Sequence, residues 1–192
     1  TNGSIGDTVN FELTSAVPDM DGYEKYYFIV HDTLSKGLLF NDDVTVTVGT
    51  KELAEDTYFT VTATSNDDGS TSIKIVFDNF IQYTEDDAVV IKYSAIIDED
   101  AVIGNVGNPN TAYLEYSNNP NKELKGENEP GPDDDDVTGV TPDDYTITYV
   151  TGMELIKVDE NQNRLTGAEF TVTGEKLNKV KVVTETFTKA ED

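Results

Sequence analysis

Residues 26–32 read YYFIVHD, and this short stretch decides the fold class. Two sets of side chains alternate along it, with Tyr26, Phe28 and Val30 on one side and Tyr27, Ile29 and His31 on the other. A period of two over aromatic and β-branched residues is typical of a β-strand with one face against a core. We therefore predict a strand from Tyr26 to Asp32.

The same alternation recurs on both sides of this stretch. It predicts further strands near residues 7–14, 44–48, 58–64, 72–77, 88–97, 111–117 and 145–150. Turn signals rich in Asp, Asn, Gly and Pro separate these segments, and no long segment shows a helical period. Many short strands at short spacing favour an antiparallel, Ig-like β-sandwich, so the predicted fold class is all-β.

The composition changes toward the C-terminus. Residues 126–144 carry eight acidic residues, no basic residue and three prolines, and we interpret them as an exposed loop. A second strand pattern begins near residue 152, and about forty residues cannot close a sandwich core alone. We predict one sandwich domain over residues 1–150 and the first strands of a second sandwich over 151–192. The strand 145–150 could close the first unit or lead into the second.

Charge and composition exclude several classes of function. Thirteen basic and 38 acidic residues give a net charge of −25, which repels nucleic acid and anionic lipid. No cysteine is available for disulfides or thiolate sites, and the single histidine cannot form a histidine cluster. The acidic run at residues 133–136 lacks the spacing of a calcium loop and favours a solvated charge run. We expect no cofactor, no metal, no nucleic-acid partner and no membrane insertion.

Strand parity singles out three polar side chains. Asp32 shares the apolar face of its strand, which would place a carboxyl at the edge of the core unless a turn begins there. Asn118 falls on the apolar face of the strand 111–117, although its surroundings also suit a turn. Lys157 lies on the apolar face of the segment 153–158. The alternative is that only its aliphatic chain packs there, while its ammonium group extends into water.

Several stretches together resemble a known family. Residues 28–38 (FIVHDTLSKGL), 88–95 (AVVIKYSA) and 110–120 (NTAYLEYSNNP) resemble the isopeptide-forming middle domain of Gram-positive, sortase-assembled backbone pilins. Residues 155–170 (LIKVDENQNRLTGAEF) resemble the opening of the Cna-B-like domain that follows in those pilins. In that family a lysine amine attacks an asparagine amide inside the folded domain, a nearby acid assists, and ammonia leaves.

The resemblance implies a role for each residue that parity selected. Asp32 matches the assisting carboxyl, Asn118 the acceptor amide, and Lys157 the lysine of the next domain. Asn110 and Asn119 remain alternative acceptors. The first predicted strand, 7–14, contains no lysine. We therefore expect a fragment of a longer protein, with the donor of the first crosslink before this chain and the partners of Lys157 after it.

The resemblance also implies a function. We expect a non-enzymatic shaft subunit of a covalently polymerised pilus, on the cell surface and attached to the cell wall. Its partners would be neighbouring pilin subunits joined by sortase. The alternative is an adhesin module, built from the same domains, that binds host matrix or glycans. A third hypothesis is a glycan-active enzyme with paired carboxylates, although no such pair stands out in the sequence.

Overall fold

A computed structural model describes residues 1–152 and 156–165 of the chain. Over these residues the elements follow in the order β1 (Asn2–Gly3), β2 (Thr8–Ala16), β3 (Phe28–Leu34), β4 (Leu38–Phe40), β5 (Thr45–Val48), β6 (Lys51–Leu53), β7 (Phe59–Ser65), β8 (Thr71–Phe77), a 3₁₀ turn (Phe80–Gln82), β9 (Ala88–Ile97), β10 (Asn108–Ser117), β11 (Thr138–Val140) and β12 (Asp144–Val150). None of the described residues forms a helix long and apolar enough to cross a lipid bilayer.

The strands form two sheets around a common core. The first sheet has the order β1-β12-β10-β3-β8-β7, with β11 also paired to β10. The second has the order β2-β9-β5-β6, with β4 also paired to β9. Pairing is antiparallel in both sheets except between β1 and β12, which run parallel. The predicted all-β sandwich is confirmed, and β12 closes this sandwich by pairing with β10.

The main core lies between the sheets and follows the alternation of the sequence. In β2, Val9 and Phe11 are buried while Asn10 and Glu12 are exposed. Aromatic rings fill the core near the start of β3, where the rings of Phe28 and Phe80 stack with their centroids 4.1 Å apart. The ring of Phe77 stands edge-on to both, with each centroid 5.3 Å away. All three side chains are fully buried.

A second, smaller core covers the outer face of the first sheet. It consists of Tyr27, Ile29, Val76, Leu124 and Val137. Tyr27 lies just before β3, Ile29 lies in β3 and Val76 in β8, and the last two come from the segment between β10 and β11. The prediction of an exposed loop over 126–144 is therefore wrong in part. The loop carries a buried valine and the strand β11, because the outer face of the sheet offers it an apolar surface.

One carboxylate fixes this segment in place. Asp134 accepts hydrogen bonds from the backbone N–H groups of Lys125, Gly126 and Gly131, at 2.8–2.9 Å. The hydroxyl of Tyr27 also donates to it, at 3.0 Å. The backbone N–H donors hold the pKa of Asp134 well below its usual range. Among the described residues, no group of three or more His, Cys, Asp or Glu could hold a metal ion.

The predicted second unit falls largely on residues 153–155 and 166–192, outside the described part of the chain. Within 156–165, Val158 and Arg164 form an isolated antiparallel bridge around a turn. The carboxylate of Asp159 caps that turn by accepting from the backbone N–H groups of Asn161 and Asn163, both at 2.9 Å. The division into domains at residue 150 stays a prediction.

Candidate functional site: a buried acid, phenol and amide

The carboxyl of Asp32 lies in the interior of the sandwich, on the face that parity predicts. Its side chain extends from β3 toward the second sheet, and the residue is only 2% exposed. On the neighbouring strand β10, Ala112 is its direct partner, while Asn110 is paired with Leu34. Asn110 is therefore diagonal to Asp32 on the same face, close enough for their two short side chains to contact each other.

Three buried side chains meet at this point, and we call them the Asp32–Tyr93–Asn110 cluster. The hydroxyl of Tyr93, on β9 of the opposite sheet, donates to Oδ2 of Asp32 at 2.6 Å. Nδ2 of Asn110 donates to Oδ1 of Asp32 and also to the Tyr93 hydroxyl oxygen, the latter at 2.9 Å. The cluster thus joins the two sheets through polar contacts inside an apolar core.

The structure does not bring Asn118 to this cluster, so its predicted place at the core edge is wrong. The parity of Asn118 is the same as that of Asn110, but β10 ends at Ser117 and Asn118 is exposed. Six residues of strand separate it from Ala112, the partner of Asp32, or about 20 Å. Asn119, the other alternative, lies in the following loop, where its Oδ1 accepts from the backbone N–H of Asn121.

Asn108 is also buried on β10, but its contacts are those of a structural clamp. Its Nδ2 donates to the carbonyl oxygens of Val102 and Thr148, both at 3.1 Å, and its Oδ1 accepts from the backbone N–H of Val102 at 2.7 Å. These bonds fix the loop before β10 to β12. Of the described asparagines, only Asn110 has a hydrogen bond to Asp32.

None of the described lysines lies in the core. Lys74 and Lys92 form surface ion pairs with Glu129 and Glu12. Lys157 is exposed, and its carbonyl accepts from the backbone N–H of Leu165 at 2.9 Å. Most of the apolar face that it was predicted to share lies outside the described residues, so its role in a crosslink stays a prediction.

Burial dominates the electrostatics of the cluster. Desolvation raises the pKa of Asp32 from 3.8 to about 6, although the hydrogen bonds from Tyr93, Asn110 and the backbone N–H of Thr33 oppose this rise. Burial, and then the charge of Asp32, raise the pKa of the Tyr93 hydroxyl well above its usual range. Near neutral pH the cluster therefore holds a carboxyl able to gain and lose a proton and a phenol that stays protonated.

The raised pKa makes stability depend on pH with a definite sign. The folded state binds the Asp32 proton more tightly than the unfolded state, so this contribution is complete below pH 3.8 and is lost as the pH rises through about 6. Relative to an Asp32→Asn variant, we expect wild-type protein to lose about 2 kcal/mol of unfolding free energy between pH 4 and pH 7. Urea denaturation at several pH values measures this difference.

The control for this prediction is Asp133→Asn, which neutralises an exposed carboxylate in the acidic loop. Its stability difference from wild type should not follow the Asp32 curve. Any constant effect of the amide at position 32 cancels, because only the change of the difference with pH is compared. A flat difference between wild type and Asp32→Asn would show that Asp32 is not desolvated.

Comparison with known proteins identifies the family of this sandwich. A sequence model of the family described as "Gram-positive pilin backbone subunit 2, Cna-B-like domain" matches residues 5–120, more than half of the chain. The chain belongs to this family. The matched residues of this backbone-pilin domain include all three members of the cluster, Asp32, Tyr93 and Asn110.

Individual relatives agree with the family assignment. The chain is 27% identical over 182 residues to the trypsin-resistant surface T6 protein of Streptococcus pyogenes serotype M6, covering 88% of this chain and 33% of that protein. The solved T6 backbone pilin superposes with a TM-score of 0.53 at 25% identity, over 76% of this chain and 32% of that one. This backbone-pilin chain therefore spans about a third of the length of these relatives.

A further solved structure supports the fold. A C-terminal fragment of the major pilin GBS80 of Streptococcus agalactiae superposes with a TM-score of 0.58 at 21% identity. The superposition covers 85% of this chain and 56% of that fragment. The likeness agrees with the two-sheet architecture described above for this member of the backbone-pilin family.

Proposed function

We propose that this domain forms an intramolecular isopeptide bond in which Asn110 is the acceptor and Asp32 the assisting acid. The observation that carries this proposal is the direct contact between a buried carboxyl and a buried carboxamide, inside a domain of the backbone-pilin family. The acceptor is thus one of the alternatives that the sequence left open, and it replaces Asn118 on grounds of burial and register.

The reaction needs no cofactor, because its atoms balance within the protein. A neutral lysine amine attacks Cγ of Asn110, a C–N bond forms, the bond from Cγ to Nδ2 breaks, and Nδ2 leaves as ammonia. Asp32 is in contact with the leaving nitrogen, so it can take a proton from the incoming amine and deliver it to Nδ2. Holding the groups together in a dry core replaces a bimolecular encounter and supplies a high effective concentration.

The donor in this proposal is a lysine that precedes Thr1 in the longer protein. The register of β1 supports this position, because Asn2 pairs with Tyr149 in a parallel ladder and Asn110 pairs with Thr146 of the same strand. A segment continuing β1 backward along β12 would therefore reach the level of Asn110 within a few residues. Lys157, in turn, would serve a crosslink of the following domain.

For the whole protein we propose the role of a shaft subunit of a cell-surface pilus. Neighbouring subunits of the same kind, joined covalently by sortase, would be its partners, and it would catalyse no reaction other than its own crosslinking. The structural relative T6 is itself described as a backbone pilin with a modular three-domain structure. A redox-independent crosslink suits a chain without cysteine that must carry load outside the cell.

Immunogold electron microscopy of the producing cells tests this role. Antibodies against residues 1–152 should label fibres at regular intervals along their length, and deletion of the gene should remove the fibres. Labelling confined to fibre tips, with the fibres retained after deletion, would overturn the shaft proposal and favour the adhesin alternative. The antibodies should be affinity-purified on the folded domain, so that they recognise the native surface.

A further inference from the structure

We propose that Tyr93 is a third catalytic residue of the crosslinking reaction, one that determines which atom of the Asn110 amide faces Asp32. The inference rests on the proposed isopeptide function and names a residue that the sequence did not single out. Tyr93 qualifies because its hydroxyl oxygen lies 2.9 Å from the nitrogen that would leave.

The direction of each hydrogen bond decides the orientation of the amide. Tyr93 gives its only hydroxyl proton to Oδ2 of Asp32, so its oxygen offers the amide a lone pair. Oδ1 of an ionised Asp32 is likewise an acceptor. If the Asn110 amide were flipped, its carbonyl oxygen would face two acceptors, Oδ1 of Asp32 and the Tyr93 hydroxyl oxygen. In the observed orientation Nδ2 instead donates one of its two N–H bonds to each of them. The leaving nitrogen is thus held against the acid.

Tyr93 is itself held rigidly. Its ring stacks on that of Phe11 with centroids 5.1 Å apart, and the ring of Phe40 stands edge-on at 5.7 Å. The residue is 3% exposed. Because its hydroxyl stays protonated in this environment, Tyr93 acts as a fixed hydrogen-bonding group and carries no proton to or from the amide.

The reaction changes what Tyr93 can bind. The primary amide of Asn110 has two N–H bonds and uses both, but the secondary amide of the product has only one. The nitrogen of Asn110 can therefore donate to Asp32 and to Tyr93 at the same time only before ammonia leaves. As the lysine attacks, Nδ2 becomes a pyramidal amine with a lone pair, and the contact with Tyr93 keeps that lone pair beside the proton on Asp32.

The test is a Tyr93→Phe substitution in the complete protein, produced by cell-free synthesis and followed by intact-mass measurement as ammonia is lost. We expect crosslinking to slow by at least about tenfold, the loss associated with a hydrogen bond to a charged or reacting group. The pH dependence of the rate should also shift to higher pH, because Tyr93 no longer lowers the pKa of Asp32. A merely structural role would not move this profile.

Tyr83→Phe is the matched control, since it removes a buried hydroxyl that has no hydrogen-bond partner. It should crosslink at the wild-type rate. A wild-type rate and pH profile for Tyr93→Phe would overturn the role of Tyr93 while leaving the proposed function intact. Absence of ammonia loss in the wild-type protein would instead overturn the proposed function itself.

A second substitution keeps the proposal testable if Tyr93→Phe does not fold. Site-specific replacement of Tyr93 by 3-fluorotyrosine preserves the shape of the ring and makes the hydroxyl a stronger donor. A stronger hydrogen bond to Asp32 should lower its pKa further and shift the pH profile of crosslinking to lower pH. An unshifted profile with this analogue would show that the Tyr93 hydroxyl does not act on the acid.

Discussion

Replacing Asn110 with alanine is expected to abolish the crosslink of this domain, so that the complete protein becomes one ammonia heavier than wild type once the substitution itself is subtracted. The wild-type protein should be lighter by one ammonia for this bond. The reason is that Asn110 alone among the described asparagines presents its amide to the buried carboxyl of Asp32. By analogy with a disulfide, losing the crosslink should also lower the free energy of unfolding by about 2–4 kcal/mol.

Two control variants make this prediction specific. Asn118→Ala alters the exposed residue just after β10 and should crosslink like wild type. Asn108→Ala removes the structural clamp and should destabilise the fold, yet it leaves the reacting groups in place. Tandem mass spectrometry of a protease digest identifies the joined peptides. A crosslinked peptide of this domain that persists in Asn110→Ala and disappears in Asn118→Ala would contradict the assignment and make Asn118 the acceptor.

The comparison of Asn110 with Asn118 shows what alternation can and cannot predict. Asn110 and Asn118 have the same parity as Ala112, because a strand repeats every two residues, but only Asn110 lies within β10 and on its buried face. Parity cannot tell where the strand ends or which residue of that face is level with Asp32, since both depend on pairing with β3. That register is a property of two strands about eighty residues apart.

Tyr93 and the second core were missed for related reasons. Parity does place Tyr93 on the inward face of β9, and a buried tyrosine hydroxyl needs a partner, so a signal was present. Its partner lies on the opposite sheet, and sheet packing cannot be derived from one strand. The side chains that cover Tyr27 and Ile29 are Leu124 and Val137, about a hundred residues away. Val137 lies inside the segment 126–144, whose acidic composition is typical of an exposed loop, and Leu124 lies just before it.

Truncating Phe28 to alanine is expected to lower the free energy of unfolding by about 3–5 kcal/mol, the range for removing a large aromatic side chain from a core. Phe28 is fully buried, stacks on Phe80 and contacts the edge of Phe77. The substitution removes the ring common to these contacts and leaves a cavity that the rigid β-strands on either side cannot close. Urea denaturation of the 192-residue chain measures the loss. Because the proposed donor lysine lies outside this chain, a crosslink at Asn110 does not contribute to the measurement.

Tyr145→Ala is the matched control, because it removes a ring of similar size that is 66% exposed. It should change the unfolding free energy by no more than about 0.5 kcal/mol. A similar, small loss for Phe28→Ala would show that the aromatic cluster does not stabilise the sandwich.

Phe28 also shares the inward face of β3 with Asp32, four residues further on. Under conditions where Phe28→Ala remains folded, the complete protein should therefore still crosslink at Asn110, since the cavity lies among the aromatic rings and removes no hydrogen bond of the Asp32–Tyr93–Asn110 cluster.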